Sequence, residues 1–247
     1  FQDLHALRLR DLTNTIVQRQ VNAISLRCSP KTVRNALALL TSVLKVYHPD
    51  FAVHVDLPRK IKHEITIPSK SDVHRLLTAA QGTPLESAIL LAAGYGLRRG
   101  EISALCFSDI DLDACTIHIS KAYAKSNDNS WLLKSPKSYA GTRTISVSAN
   151  LIDRLYANRT DPQRVLPFPP DYITNHFSRL CDRLGMSFRF HDLRHYNASI
   201  MLAMNIPDKY AMERLGQSTP GMIKSVYQHI MADKRQEVSS LVNSAAV

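Results

Sequence analysis

The 247-residue chain lacks several features that would send its interpretation elsewhere. It has no glycine-rich loop of the phosphate-cradling kind and no complete His/Cys/Asp/Glu cluster of a metal site. Its four cysteines, Cys28, Cys106, Cys115 and Cys181, form no C-x-x-C pair and follow no regular spacing. That excludes a disulfide framework and a zinc knuckle, and they read as buried thiols of a reducing, cytoplasmic compartment. Long hydrophobic runs are missing too. The longest uncharged apolar stretch, Ser87 to Leu97, is roughly half of the ~20 residues a membrane span needs, so no membrane partner is expected. Acidic residues are the last shortage. Asp and Glu number 21 against 31 Lys and Arg, a net charge of +10. Such an excess calls for an anionic partner, with nucleic acid the first candidate.

What is present is an ordinary globular composition, 45% apolar, which excludes disorder as the default. The first residue is Phe1 rather than Met, and the expectation is of a piece without its upstream sequence. Positive charge is concentrated early: residues 1–68 hold 10 Lys and Arg against 5 Asp and Glu, and the remainder holds 21 against 16. A small basic module in front of a larger domain follows. The boundaries are 1–60 for the first domain, 61–68 for a proline-flanked linker without helical period, and 69–247 for the second domain.

Residues 30–47 give the clearest helix. Ser29 is placed to cap it, Pro30 suits its first turn, and Val33, Leu37, Leu40, Leu44 and Tyr47 share one side. Lys31, Arg34 and Lys45 sit on the opposite, polar side, either solvated or touching phosphates. A weaker helical pattern covers 11–25. The second domain starts with a helix near 71–80, then a second that Thr83 to Glu86 opens as a capping box and the Gly94/Gly96 pair closes. A short helix runs from Gly100 to Leu105. Thr116–Ser120 and Arg143–Val147 alternate like half-buried strands, with a polar, lysine-rich excursion between them. Helices are expected at about 149–158, 171–184, 191–204, 208–215, 220–229 and 233–243. The fold class is therefore mainly α with a small antiparallel sheet, α+β.

The chemistry is carried by a few separated residues. His191 and Arg194 stand three apart at a helix start, where both reach one ligand and the helix dipole favours an anion. Arg98 follows a glycine-bearing turn and Glu101 comes three residues later. Tyr227 lies ten residues beyond Gln217. Arginines clamp non-bridging phosphate oxygens, histidine handles a proton, and a tyrosine hydroxyl is a nucleophile. Together they form a kit for attacking a phosphodiester.

The order Gly96-Leu97-Arg98-Arg99-Gly100-Glu101, a lysine near a strand, His191-Asp192-Leu193-Arg194, Leu215-Gly216-Gln217 and a late Tyr227 resembles the tyrosine recombinase family, in particular the integrases of phages and conjugative transposons. The resemblance covers most of the chain and implies a helical core-binding domain followed by a catalytic domain. It implies a site-specific recombinase that cuts and rejoins DNA through a covalent 3′-phosphotyrosine link, for integration or excision of a mobile element. By that likeness Arg98 and Arg194 hold the scissile phosphate, Glu101 supports Arg98, and His191 is the motif histidine. Lys137 protonates the leaving 5′ oxygen, with Lys134 as the second candidate, and Tyr227 attacks. It also implies no metal or nucleotide cofactor, double-stranded DNA as partner, and a homotetramer on two synapsed sites in the bacterial cytoplasm, at the nucleoid. Directionality or DNA-bending accessory proteins go with such enzymes. The segment after Asp233, with Val238, Leu241 and Val242 at helical spacing, is either a tether to a neighbouring protomer or a helix folded back.

Gln217 departs from the family pattern, which has His or sometimes Trp there. Glutamine donates a hydrogen bond but does not shuttle a proton. A DNA-binding protein of the same fold with weak or no cleavage is therefore the alternative. His191 and His195, four apart, also mimic a metal site, but Asp192 stands where a metalloprotease helix carries Glu. Among the other tyrosines, Tyr210 and Tyr196 read as packing residues.

Overall fold

A computed structural model of the chain describes residues 4, 6–61, 66–135, 139–224 and 226. The chain divides into two compact units, Phe1–His63 and Glu64–Val247.

The first unit is built on two helices, α1 (Asn14–Ser25) and α2 (Pro30–Tyr47), each opened by a hydroxyl cap: Thr13 accepts from Ile16 N and Ser29 from Thr32 N. Val17 and Val21 meet Val33, Leu37 and Leu44 in one apolar cluster. The stretch after α2 has no regular structure, yet α1 holds it tightly. Asn14 donates to the Ala52 carbonyl and accepts from His54 N, and one turn on, Gln18 does the same for both backbone groups of Asp56. Two amides at i and i+4 thus give an extended segment the hydrogen bonds that a neighbouring strand would. Tyr47 departs from expectation: it is 70% exposed, because the apolar side of α2 ends at Leu44.

The second unit opens with α3 (Lys70–Ala80), whose Ser69 and Asp72 form a reciprocal capping box. The box expected at the next helix, α4 (Pro84–Tyr95), is absent: Thr83 makes no capping bond. Glu86 instead accepts from Gly82 N at 2.7 Å and pairs with Arg154. α5 (Arg99–Ala104) follows. A three-stranded antiparallel sheet comes next, with strands β1 (Ile110–Asp111), β2 (Thr116–Ile119) and β5 (Arg143–Ser146) in the order β1-β2-β5. Opposite Ile117 stands Ile145, and opposite Ile119 stands Arg143. The excursion between β2 and β5 is itself a hairpin, β3 (Ala122–Lys125) and β4 (Trp131–Lys134), forming a separate two-stranded sheet. The helices α6 (Ala149–Ala157), α7 (Pro170–Leu184), α8 (Asp192–Ala203) and α9 (Asp208–Leu215) complete the described elements, with helical turns again at 221–224.

The core of this unit gathers Leu76, Ile89, Ile102, Ile117, Leu155 and Ile173, each fully buried, from α3, α4, α5, β2, α6 and α7. A smaller cluster joins α8 and α9 to Ile223 and Val226. No described helix is long and apolar enough to cross a membrane. Only Cys181 of the four cysteines is buried; Cys28 is exposed and the other two are intermediate, which corrects the expectation of four buried thiols. Tyr210 is corrected as well: it is 63% exposed on α9 and does not pack in the core. Tyr196 does pack against the main core. The tail helix expected at 233–243, and the end of the one expected at 220–229, lie outside the described residues.

Candidate active site

Two left-handed glycines aim the site. Gly96 (φ 71°) ends α4 and Gly216 (φ 62°) ends α9. A Cβ on Gly96 would press on Leu215 and Asn197, and one on Gly216 would stand 2.6 Å from Arg143 Nη1. Only glycine combines that backbone with that crowding. Both glycines present carbonyls that arginines take. The Gly96 carbonyl accepts from Arg194 Nη1, the Leu215 carbonyl from Arg194 Nη2, and the Gly216 carbonyl from Arg98 Nη2 at 2.8 Å. Each arginine therefore sits at the negative end of a helix, where unpaired carbonyls favour a cation.

Arg194 is 1% exposed and its Nε has no hydrogen-bond partner. Burial, and then the neighbouring Arg98 charge, push its pKa down to about 9. A buried guanidinium with an idle N–H beside a second cation is a place where an anion relieves strain on both. Arg98 stands just before α5 with its side chain 39% exposed. Glu101, 5% exposed, accepts Arg98 Nη1 at 2.6 Å and Arg98 N at 2.9 Å. It also accepts Arg143 Nη2 at 2.9 Å and Nη1 at 3.2 Å. Burial alone would raise the Glu101 pKa, but the bonds and charge of Arg143, then of Arg98, outweigh it and hold the carboxyl below its usual range.

His191 immediately precedes α8. Asp192, 1% exposed, fixes this turn by accepting Arg189 N at 2.8 Å and Arg189 Nη2 at 3.0 Å. His191 is exposed and lines an open cavity. The loss of hydration, followed by His195 and Arg194, pushes its pKa down to about 4. At neutral pH it carries a free lone pair. His195 lies edge-on to it, ring centroids 5.0 Å apart. Gln217 turns its Nε2 towards Met222 Sδ, 3.2 Å away, and leaves its Oε1 buried without a partner.

Arg98, His191, Arg194, His195 and Gln217 all line one open cavity of about 460 Å³, which Gly216, Gly221 and Met222 help to close. Four of the candidate catalytic residues are thus brought together. Lys137 and Tyr227 lie outside the described residues. Lys134, at the end of β4, is exposed. On α2, Lys31 and Lys45 are exposed, whereas Arg34 is half-buried and donates to the Pro58 carbonyl at 2.9 Å, tying part of its guanidinium to the fold. No group of three or more metal-ligating side chains occurs among the described residues. Sequence reasoning missed Arg143. Its signal was parity: it shares the inward side of β5 with Ile145, where a lone arginine needs a buried carboxylate.

The fold and this cavity place the chain among the tyrosine recombinases, enzymes that break and rejoin DNA strands. It belongs to the phage integrase family, whose model matches residues 69–234. A putative prophage phiRv2 integrase of Mycobacterium tuberculosis is 26% identical over 96% of this chain and 68% of its own length. A XerC-like tyrosine recombinase of Caldanaerobacter subterraneus is 23% identical over 74% of this chain and 55% of its own. Among solved structures, the Tn1549 transposon integrase in complex with transposon right end DNA superposes with a TM-score of 0.76 at 16% identity, covering 93% of this chain and 87% of that one. A lambda integrase tetramer bound to a Holliday junction gives 0.60 at 19%, covering 85% and 66%.

Proposed function

We propose that this integrase carries out site-specific recombination with Arg98 and Arg194 gripping the scissile phosphate and Tyr227 as nucleophile. The observation that carries the reading is the shared cavity, in which two guanidinium groups, a neutral imidazole and an amide face one space. The Tyr227 oxygen attacks phosphorus, the P–O5′ bond breaks, and a 3′-phosphotyrosine remains. His191, neutral at physiological pH, takes the phenolic proton, and Lys137 (with Lys134 second) gives one to the departing 5′ oxygen. The arginines stabilise the charge that gathers on the phosphoryl oxygens. Val226, the residue before Tyr227 in the sequence, is buried with Leu215 and Ile223, and Gly221 and Met222 of the same stretch line the cavity. Reversal of the same steps by another 5′ hydroxyl reseals the strand without metal or nucleotide.

The partner is double-stranded DNA, to which Lys31, Arg34 and Lys45 of the first unit add phosphate contacts. The units Phe1–His63 and Glu64–Val247 act as core-binding and catalytic domains, joined through 61–68. The working assembly is a homotetramer on synapsed sites, as the lambda integrase on its Holliday junction is a tetramer, acting in the cytoplasm at the nucleoid with accessory DNA-bending proteins. A nicked duplex that traps the covalent product tests the core of this. The unaltered chain should form a DNA–protein adduct in EDTA, and Tyr227→Phe should form none while still binding; an adduct from Tyr227→Phe would refute the assignment. One observation favours the alternative of a binder with weak cleavage: Gln217 spends one of its two N–H donors on Met222. Absence of any adduct from the unaltered chain would select it.

A further inference from the structure

We propose that Trp131, clamped by Asp171, is a positioning residue for the proton-donating lysine, because it fixes β4, the strand that ends at Lys134, three residues before Lys137 in the sequence. The proposal rests on the general-acid reading above.

Trp131 is the chain's single tryptophan. Its indole Nε1 donates to Asp171 Oδ2 at 3.1 Å, in the first turn of α7. Lys125 Nζ lies 5.2 Å from the centre of the indole ring, and Arg99 Cζ lies 5.7 Å from it. Asp171 draws in the same two cations, Lys125 at 3.5 Å and Arg99 at 4.0 Å, and Arg99 also donates to Thr174 Oγ1. One indole–carboxylate pair thus joins β4 to β3, α5 and α7. Each cation is attracted by the ring face and neutralised by the carboxylate. α5 is the helix that begins beside Arg98, so the clamp refers the hairpin to the phosphate-gripping arginine.

The rest of β4 has little hold. The hairpin is a sheet of its own, apart from β1-β2-β5. Leu132, Leu133 and Lys134 are exposed, leaving Trp131 as the one β4 side chain with substantial cover. β3 is pinned separately: Gly100 approaches the Tyr123 carbonyl so closely that a Cβ would collide with it, and Arg164 donates to the Tyr123 hydroxyl at 2.7 Å. Apart from the clamp, β4 has its ladder to β3, Ala122 to Lys134 through Lys125 to Trp131. A proton donor acts only within hydrogen-bond reach of its acceptor, so the aim of this arm governs the transfer.

The test is single-turnover cleavage by the full chain on two matched nicked duplexes. One has the ordinary 5′ oxygen at the scissile bond and the other a 5′ sulfur, which leaves without a proton. Trp131→Phe and Asp171→Asn should each slow cleavage of the oxygen substrate by about tenfold or more. On the sulfur substrate both should come within about twofold of the unaltered chain, with DNA affinity unchanged. Lys137→Ala and Lys134→Ala run alongside. If neither lysine variant gains from sulfur, the general-acid reading fails and takes the clamp's role with it. If Lys137→Ala or Lys134→Ala gains while the clamp variants are equally slow on both substrates, or as fast as the unaltered chain on both, the positioning role alone is refuted. Should Trp131→Phe not fold, Asp171→Asn decides the matter. A changed tryptophan emission maximum in that variant reports that the clamp has opened.

Discussion

Arg143 and Glu101 meet in the interior of the second unit at 2.9 and 3.2 Å, both nearly sealed from solvent, and the same carboxylate holds Arg98 at the cavity edge. The pair transmits the rigidity of the β-sheet to an arginine whose charge, in the proposed reaction, faces a phosphate. Glu101→Gln keeps the shape and removes the charge. It leaves Arg143 buried without a counter-ion, a change that costs about 3–5 kcal/mol. Denaturant unfolding should show a loss of that order, and covalent adduct formation should fall with it. The acid side gives a second readout. Glu101 has its folded pKa below the ordinary 4.5, so its contribution is present above that value and is lost as pH falls below it. The Glu101→Gln variant should lack that part of the acid-induced loss.

Much of this site was legible because the chemistry demands residue types that stand out. Arg98, His191 and Arg194 were visible from motif order, and α2 from its cap and its apolar spacing. Arg143 was not, because a charged residue at the start of a strand reads as solvent-facing even where it shares the parity of the apolar Ile145. The packing shows the carboxylate that the parity signal lacked: Arg143 points inward with Ile145 and meets Glu101. The β3–β4 hairpin was missed for a related reason. Trp131, Leu132 and Leu133 do not alternate, since no second layer covers β4 and Leu133 is 55% exposed. Tyr210 misled in the other direction: an aromatic in a helical pattern reads as core, but α9 turns it outward. Thr83 carried a capping-box pattern that Glu86 abandoned for Gly82 N and Arg154.

His191 predicts how stability responds to mild acid. Its folded pKa is about 4, below the ordinary 6.5, so the unfolded chain takes up a proton first. As pH falls from about 6.5 towards 4, stability should decline. His195 is depressed in the same direction, by burial above all, and adds to the slope. Urea unfolding between pH 7 and 4.5 should therefore be steeper in pH for the unaltered chain than for His191→Gln. Equal slopes would show that the ring is not held neutral in the fold.

Gly216 predicts a coupled loss. Gly216→Ala forces a left-handed backbone on alanine, which costs about 1–3 kcal/mol, and sets its Cβ 2.6 Å from Arg143 Nη1. The strain falls on the residue whose carbonyl holds Arg98. A thermal melt should show the destabilisation. Adduct formation, measured well below the melting temperature, should fall further than the small unfolded fraction explains. Gly185→Ala is the control. Gly185 has φ 67°, and a Cβ there would meet nothing within 4 Å, so stability should fall through backbone strain while adduct formation per folded molecule stays unchanged.

Gln217 tests what the chain does without the family's usual histidine. It lines the cavity with Arg98 and Arg194, but its Nε2 faces Met222 and its Oε1 has no partner. An amide there contributes hydrogen bonding alone, whereas imidazole adds proton transfer. Gln217→His should therefore raise the single-turnover cleavage rate, by up to about tenfold where proton transfer limits it. Gln217→Ala should lower it if the amide bonds the phosphate in the proposed reaction. The pH dependence separates proton transfer from better positioning. A new titrating group in the rate profile of Gln217→His, absent from the unaltered chain, marks the imidazole as acid or base, and a rise in rate without one marks it as a better hydrogen-bond donor. A rate unchanged in both variants would place residue 217 outside the reaction and leave His191 as the only imidazole needed.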